Sequence, residues 1–231
     1  MKREIKAFAC LFAFCAVAAV QAGAETPPWM TPAVNSINRL PARAIAVPCE
    51  SATKALMIAQ GDLARTESKW LQSLNGVWGV KWKHTIDYPN WEKEGQITVP
   101  SCWQLQGDYD PALYVNSRFP VKDDGTGNPM LDPPQDYTSF YYRNPVGLYT
   151  CAFAVPADWK GRRVVIHFGG VSSAMYVRLN GKEIGYSEDS RLPAEFDLTP
   201  YIEFGGSFIS SAKSGKINTL EVEVLKQCDG T

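Results

Sequence analysis

The sequence predicts an all-β protein, an antiparallel sandwich, and three observations carry that prediction. Eight or nine strand-like runs follow one another at short spacing, with no alternation of strand and helix. Chain-turning residues are dense, with 16 prolines and 18 glycines in 231 residues, and 12% of the chain is aromatic. The third sign is local. Asn180-Gly181 joins two apolar runs, and that dipeptide suits a type I′ hairpin, whose two central residues both take positive φ.

The first 24 residues are a different material. Lys2, Arg3 and Lys6 precede an apolar stretch from Ala7 to Val20, followed by Ala22-Gly23-Ala24. That is the charged, apolar and small-residue order of a secretory signal peptide, and the apolar run is too short to span a bilayer comfortably. Residues 1–24 are therefore expected to be removed, leaving a mature start at Glu25 and an exported protein, periplasmic or extracellular, with no membrane span. Cys49, Cys102, Cys151 and Cys228 remain after removal. In an oxidising place they allow three pairings, and one disulfide or a set of buried free thiols are both open. There is no C-x-x-C spacing and only His84 and His167 are available, so a zinc site is not expected. The formal net charge of −1 gives no reason to expect nucleic acid or an anionic membrane as partner.

Residues 25–60 read as a lead-in, Pro-rich and extended to about Pro48, then weakly helical. Ser51 to Gln60 and Asp62 to Leu74 are the helical candidates, with Ser51 and Asp62 as N-caps. In the second, the spacing of Leu63, Trp70, Leu71 and Leu74 gives one apolar face. The sandwich is expected over residues 61–231. "VWGVKWKH" alternates, placing Trp78, Val80 and Trp82 on one side. "GQITVPSCW" is a second run, stopped by Pro100. Lys122 to Tyr142 is a polar excursion too rich in Pro and Gly to be regular. "GLYTCAFAV" follows, ending at Pro156, and then "RRVVIHF", "AMYVRL" and "KEIGYS". In the last run, "NTLEVEVLK", Leu220, Val222 and Val224 lie opposite Glu221 and Glu223.

Candidate chemistry is sparse. No G-x-S-x-G is present, and neither histidine has a nucleophile at motif spacing. His167, in an alternating run, reads as a core or sheet-face residue. "DDGTGN", Asp123 to Asn128, lacks the D-x-D-x-D-G alternation and distal Glu of a calcium loop and reads as a solvated turn. Tryptophans can stack on sugar faces, but strand-spaced Trp78 and Trp82 read as core. The densest polar stretch is "GYSEDSRLPAEFDLTPYI", Gly185 to Ile202, which carries Glu188, Asp189, Arg191, Glu195 and Asp197. It begins where a strand ends, at a rim of the sandwich where loops commonly carry function. Its carboxylates can accept hydrogen bonds from hydroxyls or bind a hard cation through oxygen. On this chemistry alone the stretch reads as an ordinary solvated rim.

The same stretch resembles the corresponding segment in the N-terminal sugar-binding domain of glycoside hydrolase family 2 β-galactosidases, and other blocks agree in order. "LQSLNGVWGVKW" is similar to the family's first strand, and "ITVPSCWQLQGDYDPALYVNSRFP" to its "VPSNWQ…G…P.Y.N..YP" block. "RNPVGLYTCAF" is similar to "NPxGxY", and "LNGKEIGYSEDSRLPAEFDL" to "NGxxVGYxxDSRLPxEFDL". Together they cover roughly residues 60 to 231 in register. The resemblance implies a jelly-roll, galactose-binding-like β-sandwich. It assigns two residues to the galactose site: Asn116, from the "Y.N" block, and Asp189, from "DSRLP", which would bind galactose and sodium. The sequence departs from the pattern at Cys102, where the family often has Asn. The excursion from Lys122 to Arg143 and the "GGSFISSAKSGK" insertion are both longer than usual.

Hydrolysis in this family is retaining and needs two carboxylates about 5 Å apart. The resemblance places both, and the magnesium ligands, in a following (β/α)8 barrel of about 250 residues. No catalytic residue is therefore expected here, and Asp189 with Glu195 is rejected as a dyad. The last residues, "LKQCDGT", fall inside the family's "L..SDGSYLEDQD" segment. The expectation is the N-terminal part of an exported β-galactosidase, from a truncated gene product or a split enzyme. Its partners would be a β-galactoside sugar and the missing catalytic barrel, in cis or as a separate chain. A stand-alone carbohydrate-binding module is the alternative, and a structural or adhesive surface sandwich a third.

Overall fold

The computed structural model describes residues 26–110, 112, 144–209 and 212–228. In chain order the strands are β1 (Ser36–Ile37), β2 (Gly76–Lys83), β3 (Lys93–Val99), β4 (Val146–Ala154), β5 (Val165–Phe168) and β6 (Ala174–Leu179). They continue with β7 (Lys182–Glu188), β8 (Ala194–Asp197), β9 (Ser207–Ile209), β10 (Ala212–Ser214) and β11 (Ile217–Leu225). The described residues also hold one α-helix, α1 (Ala52–Gln60).

Seven strands form one antiparallel sheet in the order β1-β7-β6-β11-β4-β2-β3. The expected alternation fixes its buried face. Trp78, Val80 and Trp82 of β2 lie beside Ile97 of β3, and Leu220, Val222 and Val224 of β11 lie beside Val177 and Leu179 of β6. The short antiparallel pair β5–β8 covers this face, driving Ile166, Ala194 and Phe196 into the same core. Antiparallel sheets with little helix, packed through one shared core, make a β-sandwich. The Asn180-Gly181 hairpin between β6 and β7 is as the sequence requires, with φ of 53° and 76°. The insertion before β11 supplies its own small hairpin, β9–β10.

The lead-in differs from its sequence reading in two ways. After a 3-10 turn at Pro28–Met30 the lead-in, to about residue 43, is strapped to the sandwich: β1 pairs with β7, and the Leu40 amide donates to the Glu195 carbonyl at 2.8 Å. The strap runs so close that a Cβ on Gly185 would run into the Ile37 carbonyl and come within 2.8 Å of the Phe196 ring. Trp29 also closes a second apolar cluster, with Val146, Ala174, Tyr186, Leu225 and Cys228.

The helix at Ser51 is correct. Its N-cap hydroxyl accepts from the Lys54 amide, and Gly61 ends it with φ 87°. The helix expected from Asp62 to Leu74 does not form; only a 3-10 turn at Arg65–Glu67 does. Tertiary contacts override the weak pattern there. Trp70 lies under the Arg162 guanidinium, 3.5 Å from the ring centroid, and the Lys69 carbonyl accepts from Trp159 Nε1 at 3.1 Å. Cys49, Cys102 and Cys151 are free thiols, Cys228 is buried, and burial raises the Cys151 pKa above its ordinary value. The polar excursion with "DDGTGN", and the export signal, lie outside the described residues.

Candidate functional site

β7 and β8 frame the charge-rich stretch and divide its five charges. Along β7 the side chains alternate. Tyr186 and Glu188 share one face, and both are buried, Glu188 to 6% of its surface. The Tyr186 hydroxyl donates to Glu188 Oε2 at 3.0 Å. Burial and the neighbouring carboxylate together push the phenol far above its ordinary pKa. Glu188 is thus an interior residue and not part of a solvated rim.

Asp189 follows directly. It is exposed, and its backbone takes φ 104°, a region that a non-glycine residue enters at a cost. Its carbonyl accepts from the Leu192 amide at 3.3 Å, closing a turn in which Arg191, Leu192 and Pro193 are also exposed. From Ala194 the strand period returns. Ala194 and Phe196 enter the core, so Glu195 and Asp197 point away from it.

Those two outward carboxylates are both engaged. Arg43 from the strap forks onto Glu195 with Nε 2.8 Å from Oε2 and Nη2 3.1 Å from Oε1, and His167 Nδ1 lies 3.1 Å from Oε1. Arg163 Nε donates to Asp197 at 2.7 Å, and the Thr199 amide at 2.9 Å. Partial burial pushes the Asp197 carboxyl up, but these donors outweigh it and hold its pKa below the ordinary value. Glu195 is committed to Arg43 and His167. His167 is the sheet-face residue expected from its alternation, and Trp78 and Trp82 are core.

Of the two predicted site residues, the structure exposes Asp189 on the rim, and Asn116 lies outside the described residues. Upstream of Asn116, Asp110 is fully enclosed and tied to Lys226 Nζ at 2.6 Å, joining that part of the chain to the end of β11. A groove among the described residues is bordered by Arg43, His167, Ser190, Arg191 and Glu195, but Asp189 is not on its wall. The groove is therefore a weaker guide to the site than the rim. Sequence reading missed the strap arginines, Arg39 and Arg43, because nothing in an aperiodic segment announces which strand it will lie against.

The Asp189 carboxylate has no hydrogen bond or ion pair to any described residue. An exposed carboxylate of this kind offers the oxygen donors that sugar hydroxyls and hard cations both use. Among the described residues no three His, Cys, Asp or Glu side chains gather into a metal cluster.

The antiparallel sheets packed through one shared core define the class of protein, a two-layer β-sandwich. Residues 71–213 match the family described as glycosyl hydrolases family 2, sugar binding domain, and the chain belongs to that family. Its curated relatives include β-galactosidases. The protein of Priestia megaterium is 37% identical over 215 residues, covering 89% of this chain and 18% of the relative. That of Yersinia enterocolitica is 35% identical over 212 residues, covering 88% and 17%. A solved β-glucuronidase from Ruminococcus gnavus aligns with a TM-score of 0.42 at 18% identity, over 66% of this chain and 20% of that one. The chain spans less than a fifth of the length of these curated relatives.

Proposed function

We propose that this chain is the N-terminal sugar-binding part of an exported β-galactosidase and supplies one wall of its galactose site. The observation that carries the reading is the 37% identity to a β-galactosidase over 89% of the chain. Asp189 is the residue through which the wall acts. Its exposed carboxylate accepts from a sugar hydroxyl or binds sodium, and Asn116 adds a neutral amide that can both donate and accept. Sodium would neutralise the carboxylate and orient hydroxyls beside it.

Bond cleavage belongs to the catalytic barrel, in cis or as a separate chain, together with any magnesium. Retaining hydrolysis needs two carboxylates about 5 Å apart with different protonation states. Glu188, Glu195 and Asp197 are held instead by Tyr186, Arg43 and Arg163. Alone, the chain should hydrolyse an aryl β-galactoside no faster than buffer. Export rests on the Lys2-Arg3-Lys6 head, the apolar stretch and Ala22-Gly23-Ala24, and N-terminal sequencing of secreted protein should begin at Glu25.

The site is tested in an enzyme that carries this chain before a family 2 barrel. Asp189→Asn keeps size and one acceptor oxygen but removes charge. Losing a hydrogen bond to a charged group costs about 1.5–3 kcal/mol, so kcat/KM should fall by about ten- to a hundredfold. Asn116→Ala should cost less, about 0.5–1.5 kcal/mol. Arg191→Gln, exposed on the same turn, is the control. If Asp189→Asn and Arg191→Gln prove equally mild, the rim is only a solvated loop.

A further inference from the structure

Asp189 stands in a backbone conformation that its own side chain does not favour. A φ of 104° persists in a non-glycine residue only where neighbouring contacts over-determine it. The structure shows which contacts these are, and most come from the strap rather than from the rim.

φ of Asp189 is the rotation about its N–Cα bond, so the peptide plane between Glu188 and Asp189 is one of the two planes that define it. The oxygen in that plane is the Glu188 carbonyl. Arg39 Nη1 donates to it at 3.1 Å and to Ser187 Oγ at 2.9 Å, and Ser187 Oγ donates to the same carbonyl at 3.1 Å. On the other side of Glu188, its amide donates to the Asn35 carbonyl at 3.1 Å, and its carboxylate is anchored inside by Tyr186. Downstream, the Leu192 amide holds the Asp189 carbonyl. The peptide plane before Asp189 is pinned, and the carboxylate beyond it is left free.

We propose that Arg39 is a positioning residue for the sugar site, fixing the Glu188–Asp189 peptide so that the Asp189 carboxylate is presented at the rim in one orientation. A guanidinium suits this task. It is always charged, and its planar donors reach a hydroxyl and a carbonyl together, which an ammonium on a flexible stem does less well. Preorganisation of this kind matters because a ligand group held loosely loses affinity to its own freedom. Arg39 touches neither sugar nor cation; it acts through Asp189.

The proposal rests on the reading of Asp189 as a sugar or sodium ligand, and the test separates the two. In the enzyme carrying this chain, Arg39→Ala should lower kcat/KM for an aryl β-galactoside about tenfold and raise the sodium concentration needed for half-maximal activity. Arg39→Lys should recover part of both. Added to Asp189→Asn, Arg39→Ala should cause little further loss, because the group it orients is already gone. A merely structural role would instead multiply the two losses and leave the sodium requirement unmoved, which overturns the proposal. If Asp189→Asn is itself silent, the sugar-site reading fails, and hydrogen exchange then judges the positioning. Arg39→Ala should speed exchange in a peptide spanning residues 188–193 at least tenfold, with a β11 peptide unchanged. Equal exchange in both proteins would end the idea.

Discussion

The turn from Asp189 to Pro193 and the strand from Ala194 to Asp197 are adjacent in sequence, and both are rich in charge. In β8 every charge has a partner within the fold, Glu195 with Arg43 and His167, Asp197 with Arg163 and Thr199. In the turn, Asp189 has none among the described residues, and its backbone is strained. The difference is one of period. A strand puts every second residue on the core, so its polar residues land on a fixed outer face where other elements can meet them. A turn projects its side chains outward with no such neighbour. On this rim the turn accordingly leaves a carboxylate unengaged, while the charges of β8 are committed within the fold.

The sharpest way to break this contrast is to attack the buried half of β8. Phe196→Ala removes a fully enclosed ring that packs against Gly185 and Phe168. It should cost about 3–5 kcal/mol in urea denaturation. A loss below about 1 kcal/mol would mean that β8 is not the lid of this core.

An intermediate effect is expected at the outer face of the same strand. Glu195→Ala leaves the Arg43 fork without its acceptor and removes the carboxylate beside His167. A loss of about 1–3 kcal/mol in the same assay is expected, with kcat/KM of the complete enzyme unchanged in folded protein. A selective loss of activity without loss of stability would reverse the roles assigned to β8 and the turn.

The smallest effect should come from the turn, and with opposite sign. Asp189→Gly deletes the carboxylate but relieves the positive φ. Strain relief of about 1–3 kcal/mol is offset by about 0.4–1 kcal/mol of extra freedom in the unfolded chain. A net gain of about 1 kcal/mol is expected, alongside the loss of sugar-site activity. Destabilisation by Asp189→Gly would show that the carboxylate serves the fold after all.

Much of the sandwich is legible in the sequence because strand period and turn chemistry are local. Trp78, Val80 and Trp82 announce the buried face of β2, Asn180-Gly181 the hairpin, Pro100 the end of β3, and Ser51 the cap of α1. The second helix fails because its apolar spacing was an accident of residues bound elsewhere, Trp70 by Arg162 and Lys69 by Trp159. Asp189 is singled out only through family resemblance, since five charges within ten residues look alike. Glu188 illustrates the limit. Beside Asp189 in sequence it reads as rim, yet one step of strand alternation turns it onto Tyr186 and out of solvent.

What the sequence determined by itself, then, was the strand pattern, the hairpin, the β-sandwich class and the kinship to family 2 sugar-binding domains, all carried by short-range order. Only the tertiary structure decided which charges were committed and which stayed available. Arg39 and Arg43 lie about 150 residues from the groups they hold, Ser187, Glu188 and Glu195. No local rule of propensity or period reaches across that distance. The pairing exists because β1 docks on β7 and carries the strap, with both arginines, past the rim.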